Sequence, residues 1–439
     1  MASSYLKRTF STATNRKIWT WSAWVKRHNV VSDYQNALFG AWYNSSNRSV
    51  IRFNGHKINF QDSGNSVEIL TSRMFRDSNA WYHIVARVDT TQSTASNRVR
   101  IYVNGVQETA FDTANYPNQN INMEFQGAVE HYINASQSSG GIESYADMSF
   151  SHVHFADGQS LAPTVFGETD STTGEWKINT SPSFTLGTNG FTILKDGSTY
   201  TDQSSNSNNW TLVGTLTKTE DCPSNVFATF NPHANNANAT LSNGNTTVSY
   251  HTTAWKRALL NFGHTKGKWY WEVKSAGTPY IKVGMVEEDG QWASMPSHEH
   301  HADNAYGWAW YVNGGNVELR TAQAVISGYS QSDLGNTNIG NGDILCIALD
   351  LDNGRLHARK NDGSWLKSGD PAAGSGGYSI ANFTANTKMY IPACSVYNAT
   401  TAQHNFGNGY FGTTASGIGI VEYDVPTGFT AWSTKGFNE

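Results

Sequence analysis

The 439-residue chain is long enough for two or three domains. Only 15% of its residues are charged while 13% are aromatic, and it contains 40 glycines against 10 prolines. This mixture favours strands and tight turns over helices, which are rich in Ala, Leu, Glu and Lys. The formal net charge of −5 and the lack of a dense Lys/Arg run argue against a nucleic-acid partner.

The sequence also bears on membranes and on redox compartment. No stretch approaches 18 consecutive apolar residues, and residues 1–10 (MASSYLKRTF) lack an apolar core before a cleavage site, so neither a membrane span nor a secretory signal is expected. Cys222, Cys346 and Cys394 are odd in number and lack C-x-x-C spacing. We interpret them as reduced thiols, mostly in the core, of a chain made in a cytoplasm.

Strand-sized runs appear early in the first half of the chain. Residues 18–26 (IWTWSAWVK), 81–89 (WYHIVARVD) and 98–103 (RVRIYV) alternate or are apolar, and the last is followed by Asn104-Gly105, a type I′ hairpin signature. In the first run Trp19, Trp21 and Ala23 should face one side of a sheet, opposite to Trp24. Repeated short strands of this kind predict a sandwich or barrel.

The second half repeats this style with a different sequence. Its predicted strands are residues 268–274, 280–286, 305–312, 343–350 and 355–360. Polar, Asn-rich stretches at 199–209 and 231–245 separate the halves. We predict an N-terminal arm at 1–18, a first sandwich at 19–176, a linker and irregular segment at 177–245, a second sandwich at 246–410 and a C-terminal tail at 411–439.

The motifs resemble two known families. W-x-A-W-V at 21–25, W-Y-H-I-V at 81–85 and Y-V-N-G at 102–105 resemble the laminin-G and pentraxin-like branch of concanavalin-type sandwiches. G-K-W-Y-W-E-V at 267–273, Val283-Gly284 and N-G-D-I-L at 341–345 resemble a SPRY domain over about residues 228–407. The resemblance implies an all-β chain with two consecutive lectin-like antiparallel β-sandwiches of jelly-roll type.

The order of the two modules also resembles a type of tailed-phage virion protein common among marine phages. Residues 155–176 (FADGQSLAPTVFGETDSTTGEW), Asn405-Phe406-Gly407 and Pro426-Thr427-Gly428-Phe429 are similar to the ends of the two modules in that group. The resemblance implies a virion structural protein assembled in the host cytoplasm. Expected partners are other virion proteins, host-surface carbohydrate and further copies of the chain, with a trimer as the expected oligomer.

Catalytic patterns are weak in this sequence. Concanavalin-like glycoside hydrolases need two carboxylates about 5 to 9 Å apart, and the E-x-D-x-x-E run that would supply them is missing. Glu143 and Asp147 lie in a loop-like context, and Glu272 would need Glu287 or Glu288 from a distant strand. No G-x-S-x-G elbow occurs. We therefore expect no enzyme, with a carbohydrate-active enzyme and a cellular SPRY-type interaction module as alternatives.

The densest metal-capable cluster is residues 297–303 (SHEHHAD), although it is not an H-E-x-x-H motif. In an extended loop His298 and His300 would share a face, and with His301 they could bind Zn²⁺ or Ni²⁺. A solvated polar loop beside a binding face is the preferred interpretation. No cofactor is expected, and no pattern assigns a metal.

Calcium is a further alternative in two places. Asp350-Leu351-Asp352-Asn353-Gly354 is better explained as a hairpin turn than as a calcium loop, because the glycine falls one position early and no Glu closes the loop. Some laminin-G and pentraxin relatives bind Ca²⁺, which leaves Asp89 and Asp147 open as ligands in the first module.

Aromatic side chains near the histidine loop suit sugar binding, because a ring can stack on the apolar face of a pyranose while polar groups bond its hydroxyls. By resemblance to SPRY domains the loops of this half form the ligand surface. Trp292 and Tyr311 are therefore candidate ligand-binding residues together with His298 and His300. Trp308 and Trp310 are expected in the core instead.

Overall fold

The computed structural model of the chain describes residues 4–30, 35–195, 199–234, 239–251, 253–288, 301–302, 305–409 and 421–434. The chain divides into two compact units, Met1–Lys218 with Cys222–Ser224, and Thr219–Asp221 with Asn225–Glu439. The described residues are almost entirely strands and turns, with short 3-10 helices at Ser63–Asn65, Ala95–Asn97, Glu124–Gln126, Pro163–Val165 and Leu366–Ser368. Among them, no helix is long and apolar enough to cross a membrane.

The first unit is a sandwich of an eight-stranded and a six-stranded sheet, with strand orders β10-β6-β5-β4-β3-β11-β1-β18 and β17-β14-β2-β7-β8-β9. Two small hairpins, β12-β13 and β15-β16, complete it. The strands are β1 Tyr5–Thr9, β2 Ile18–Arg27, β3 Gln35–Trp42, β4 Arg48–Asn54, β5 Lys57–Asp62, β6 Val67–Thr71, β7 Trp81–Asp89, β8 Val99–Val103, β9 Val106–Gln107, β10 Phe111–Asn115, β11 Glu130–Ile133, β12 Ser136–Ser138, β13 Gly141–Glu143, β14 Met148–Asp157, β15 Gly167–Thr169, β16 Trp176–Ile178, β17 Phe191–Ile193 and β18 Thr211–Val213.

The second unit is also a sandwich of an eight-stranded and a six-stranded sheet. Their orders are β19-β20-β31-β22-β27-β28-β29, with β32 added beside β22, and β21-β30-β23-β24-β25-β26. The strands are β19 Thr240–Ser242, β20 Thr247–Ser249, β21 Lys256–Leu259, β22 Lys268–Ala276, β23 Tyr280–Glu287, β24 Gly307–Asn313, β25 Asn316–Thr321, β26 Ala324–Val325, β27 Ile344–Asp350, β28 Arg355–Lys360, β29 Tyr378–Ser379, β30 Tyr390–Val396, β31 Thr401–Asn405 and β32 Thr430–Ala431. The predicted all-β, two-sandwich fold class is confirmed.

Each sandwich has one main core between its sheets and a second apolar layer outside one of them. In β2, Trp19, Trp21 and Ala23 share one face, as predicted, and that face enters the core, while Trp24 on the opposite face stacks on His83 at 4.8 Å. Residues of the segment that follows β14, among them Phe166 and Phe184, pack on that outer face. In the second unit Val421 and Phe429 cover the outer face of the eight-stranded sheet in the same way.

The structure differs from the predicted domain boundaries at three places. The predicted arm at 1–18 contains β1, which pairs with both β11 and β18 inside a sheet. The predicted linker at 177–245 supplies β17 and β18 to the first unit and Phe230 to the core of the second. The predicted tail at 411–439 contains β32 and the buried Trp432. These pieces are too short for a hydrophobic period to reveal them.

The Asn104-Gly105 turn holds the outer layer of the first unit in place. Gly105 has φ +78°, and a Cβ there would lie 2.4 Å from Cε3 of Trp176 on β16. We expect Gly105→Ala to lower the free energy of unfolding by about 2–3 kcal/mol, from backbone strain plus a clash with the indole. Gly174→Ala is the matched control, because Gly174 has φ +74° with nothing within 4 Å of the added carbon. Equal losses in urea unfolding of the two variants would show that Trp176 does not constrain the turn.

Candidate functional site

Half-exposed aromatic side chains gather on the outer face of the six-stranded sheet of the second unit. Strand β24 alternates there: Trp308 and Trp310 are buried in the core, as predicted, and Tyr311 faces the opposite side. Trp255, Tyr280 and Tyr397, at or beside the ends of β21, β23 and β30, join it. We call these four aromatic residues, with Lys282 and Arg320, the aromatic face.

The rings of the aromatic face contact one another across four neighbouring strands. Trp255 stacks on Tyr397 at 5.3 Å between ring centroids and meets Tyr311 edge-on at 5.6 Å. Tyr280 lies edge-on to Tyr397 at 5.9 Å, and the Tyr397 N–H donates to the Tyr280 carbonyl over 3.1 Å. Pairing of β21 with β30, of β30 with β23 and of β23 with β24 brings these residues together in one patch.

Two basic side chains lie among the rings. Lys282 is directly opposite Tyr311 in the β23–β24 ladder, and its Nζ lies 4.4 Å from the Trp255 ring centroid and 5.1 Å from that of Tyr311. The Arg320 guanidinium lies 4.7 Å from the Tyr311 ring and pairs with Glu318 at 2.6 Å. Burial raises the pKa of Tyr311, so its phenol is neutral and can both donate and accept hydrogen bonds.

The structure places only part of the predicted histidine site. Trp292, His298 and His300 lie outside the described residues. His301 is 2% exposed, its Nδ1 lies 2.9 Å from Ser395 Oγ, and Ser395 is the cross-strand neighbour of Lys282. His301 and Tyr311 are thus on the same sheet face, and the described residues contain no group of three potential metal ligands.

The aromatic face can bind a ligand that offers an apolar surface ringed by polar groups. Exposed parts of the rings can stack on such a surface, while the Tyr311 hydroxyl and the Arg320 guanidinium can bond hydroxyls or acidic groups. A sugar ring has this chemistry. Sequence reasoning found Tyr311 but missed Trp255, Tyr280 and Tyr397, whose meeting depends on pairing between distant strands.

The carboxylates of the two candidate calcium sites already bond to other protein groups or are buried. Asp350 accepts hydrogen bonds from the N–H groups of Asp352 and Asn353 at 3.0 Å each and pairs with Lys268 at 3.3 Å, which confirms a turn between β27 and β28. Asp89 accepts from Thr91 and Gln92 beyond the end of β7. Burial raises the pKa of Asp147, which opposes the charged form that calcium needs.

The candidate carboxylate pairs lie on different elements. Glu272 is on β22 of the eight-stranded sheet, whereas Glu287 is on β23 of the six-stranded sheet and pairs with Lys388. Glu143 is on β13, bonded to Arg48 at 3.2 Å, and Asp147 lies in the connection before β14.

A serine and a histidine that sequence reasoning did not connect meet under the outer layer of the first unit. Ser22 Oγ lies 2.9 Å from His83 Nε2, and the Trp176 indole N–H donates to His83 Nδ1 over 3.0 Å. Because Nδ1 accepts that bond, the proton of the neutral ring is on Nε2. His83 therefore donates to Ser22 and cannot remove its proton, so this pair is not a nucleophile and base.

The cysteines are free thiols. Cys346 and Cys394 are buried, as predicted, while Cys222 has intermediate exposure. Burial raises the pKa of the Cys346 thiol to about 12, which suits an inert core residue.

Comparison with known proteins supports the assignment of the first unit. A family model described as the concanavalin A-like lectin/glucanases superfamily, of laminin-G type, matches residues 2–142, which is less than half of the chain. The predicted laminin-G-like resemblance is confirmed over that range. A search of curated proteins gives no match.

Solved structures similar to the chain include two SPRY domains and a toxin. The SPRY domain of human HERC1 is 15% identical, with 40% of this chain and 96% of that chain covered and a TM-score of 0.28. The TRIM65 PSpry domain is 15% identical, with 41% and 89% covered and a TM-score of 0.31. Stonustoxin is 16% identical, with 42% of this chain and 27% of that chain covered and a TM-score of 0.29. TM-scores of this size carry no argument, and the sandwich of the second unit is established by its own strand order.

Proposed function

We propose that this chain is a binding and structural protein of a tailed-phage virion, a head fibre or decoration or a component of a tail fibre. It binds other virion proteins through its sandwiches and host-surface glycans through the aromatic face, and it does not catalyse a reaction. The virion assignment is supported by the order of the two modules and by the module ends at residues 155–176 and 426–429.

The observation that carries glycan binding is the aromatic face itself. Four aromatic residues of intermediate exposure lie together on a hydrogen-bonded sheet, with Lys282 against two of the rings and Arg320 against one. Large apolar rings are normally buried, and rings held at a surface beside polar groups are typical of binding sites. Weak binding at each face becomes strong when copies are linked in one particle, which a closed trimer of subunits would provide.

The carboxylates support binding over glycoside hydrolysis. A retaining or inverting hydrolase needs two carboxyl groups that face one sugar. The Glu272 carboxylate oxygens already accept hydrogen bonds from the Tyr270 hydroxyl and from the backbone N–H groups of Glu422 and Tyr423. Glu287 is 3% exposed and contacts Lys388.

Mass spectrometry of purified particles tests the virion assignment, with copy number measured against the major capsid protein. We expect the chain in the particles. Hundreds of copies would indicate a capsid decoration, and a few to a few tens would indicate a tail or vertex appendage. Absence from the particles would overturn the virion assignment and leave the soluble interaction module in its place.

Removal of two rings tests the aromatic face. We expect Trp255→Ala and Tyr311→Ala each to weaken binding to surface polysaccharide of the host by about tenfold, because each removes about 1.4 kcal/mol of stacking and bonding. Titration of fluorescently labelled polysaccharide measures this. Trp365→Ala is the control, since Trp365 is a partly buried aromatic residue on the eight-stranded sheet of the same unit. Equal affinity of all three variants and the parent protein would exclude the aromatic face as the glycan site.

A further inference from the structure

The first unit contains a cavity of about 320 Å³ that none of the predicted sites includes. It lies where the segment that covers the six-stranded sheet approaches the loop after β17. Strand β14 contributes His154, the covering segment contributes residues 181–184 and Leu186, and β17 and the chain after it contribute Thr192, Lys195 and residues 203–205. The match to the laminin-G family model ends at residue 142. Every lining residue except His154 lies far beyond that point in the sequence.

His154 is the buried polar group of this cavity. His154 is only 2% exposed. Its imidazole ring stacks on the Phe166 ring at 5.4 Å between centroids, and the Phe184 ring lies edge-on to it at 5.9 Å. Nδ1 lies 3.0 Å from Thr192 Oγ1. Because His154 lines the cavity, a ligand bound there can reach its other ring nitrogen, Nε2.

The chemistry of Nε2 suits a hydroxyl group. Burial holds the pKa of His154 well below its usual value, so the ring is neutral. The Thr192 hydroxyl can donate to Nδ1 or accept from it, which makes Nε2 a donor in the first case and an acceptor in the second. A ligand hydroxyl can serve either form because it both donates and accepts.

The other walls favour a small amphipathic ligand with one negative charge. Phe184, Leu186 and Pro182 supply an apolar side, and Ser181, Ser183 and Ser205 supply hydroxyls. Lys195 is exposed at the cavity, where it is the single cation among the lining residues, and its backbone N–H is fixed by the Gln203 side-chain oxygen over 2.9 Å. The volume fits a compact site for one sugar unit.

We propose that this cavity binds a single acidic sugar unit, with a ring hydroxyl on His154 Nε2, a ring face against Phe184 and the carboxylate beside Lys195. The site is separate from the aromatic face and does not depend on it. It gives the first unit a binding role of its own.

Saturation-transfer NMR on the full chain tests the proposal with D-glucuronate, D-glucose and inorganic phosphate as probes. We expect weak, saturable binding of glucuronate, about tenfold weaker binding of glucose, and no competition by phosphate at equal concentration. Lys195→Gln should remove the preference for glucuronate over glucose. Ser205→Trp, which fills the cavity from an exposed position, should abolish binding of both sugars.

The controls separate this site from other sources of binding. Lys177→Gln removes an exposed lysine of the same unit outside the cavity and should leave glucuronate binding unchanged. The Trp255→Ala and Tyr311→Ala variants should also retain it, so failure of the aromatic face would not count against the cavity. Absence of saturable glucuronate binding, or binding by Ser205→Trp equal to that of the parent, would overturn the proposal. Displacement of glucuronate by phosphate would reduce it to a simple anion site and overturn the sugar assignment.

Discussion

Acidification to about pH 5 is expected to destabilise the first unit strongly, because that unit buries several histidines in the neutral form. Burial lowers the pKa of His28 and of His83 to about 3, and it lowers the pKa of His154 well below the ordinary value of 6.5. The second unit has the same feature, since burial lowers the pKa of His264 and of His404 to about 3. Both units should therefore be acid-labile.

The direction of this pH dependence follows from proton uptake by the unfolded chain. Below pH 6.5 the unfolded chain binds protons at these histidines and the folded chain does not, so the unfolded state gains stability as pH falls toward 3. Each histidine contributes about 1.4 kcal/mol per pH unit in this range. His28 and His83 together remove about 4 kcal/mol at pH 5, a large part of the whole stability of many domains, and His154 acts in the same direction.

Asp62 opposes this loss of stability, and His131 has hydrogen bonds that act against the effect of its burial. Burial raises the pKa of Asp62 to about 6, so its contribution to stability is present at low pH, is lost as pH rises through 6, and returns about 1 kcal/mol at pH 5. Burial lowers the pKa of His131 to about 4, but both ring nitrogens lie within 2.8 Å of carbonyl oxygens, which favours the charged ring. His131 is therefore left out of the sum, and the net loss from His28, His83 and Asp62 at pH 5 is about 3 kcal/mol.

Urea unfolding at pH 8, 7, 6 and 5, followed by tryptophan fluorescence, measures this dependence. His28→Gln should lessen the slope below pH 6 by about 1.4 kcal/mol per pH unit, because one titrating group is removed. His233→Gln is the control, since its side chain is exposed in the folded chain. A free energy of unfolding that stays constant from pH 7 to pH 5 would mean that water reaches the buried rings.

The long strands were predictable because each alternates or is apolar over six or more residues. Residues 18–26, 81–89, 268–274 and 343–350 correspond to β2, β7, β22 and β27. Alternation also separated the two faces correctly at Trp308, Trp310 and Tyr311. Period-2 patterning thus defines both the strand and its buried side.

The outer layers and the sites beneath them were not predictable in this way. Strand β1 is five residues with two basic side chains, and its position is set by pairing with β11 more than 120 residues later. The segment with Val421 and Phe429 is rich in turn residues and has no period. In the sequence His154 is one polar residue within a strand, and its cavity depends on residues 181–184 and 203–205, which are distant from it in the chain. Such features depend on contacts that no local pattern contains.

Glu272→Ala is expected to release the C-terminal segment of the second unit and to cost about 4 kcal/mol. The Glu272 carboxylate is fully buried and accepts from the Tyr270 hydroxyl at 2.9 Å, the Glu422 N–H at 2.7 Å and the Tyr423 N–H at 2.8 Å. Burial raises its pKa, and the three bonds oppose that rise. Truncation leaves the buried Tyr270 hydroxyl and two partly buried backbone N–H groups without their acceptor.

Two variants separate the role of the carboxylate from that of its volume. Glu272→Gln retains one acceptor oxygen but turns an amide N–H₂ toward the donors, and we expect a loss of about 2 kcal/mol. Glu318→Ala removes a carboxylate that pairs with Arg320 at the surface of the other sheet, where the expected loss is below about 1 kcal/mol.

Cys346 reports release of the segment directly. It is fully buried in the same outer layer as Val421 and Phe429, whereas Cys394 is buried in the main core between the sheets. In a Cys222→Ser background, Glu272→Ala should make Cys346 react with a thiol reagent while Cys394 stays protected under native conditions. Equal protection of both thiols would show that apolar packing holds the segment without Glu272. Equal exposure would mean that the whole unit unfolds with it, because the core and its outer layer then form one cooperative structure.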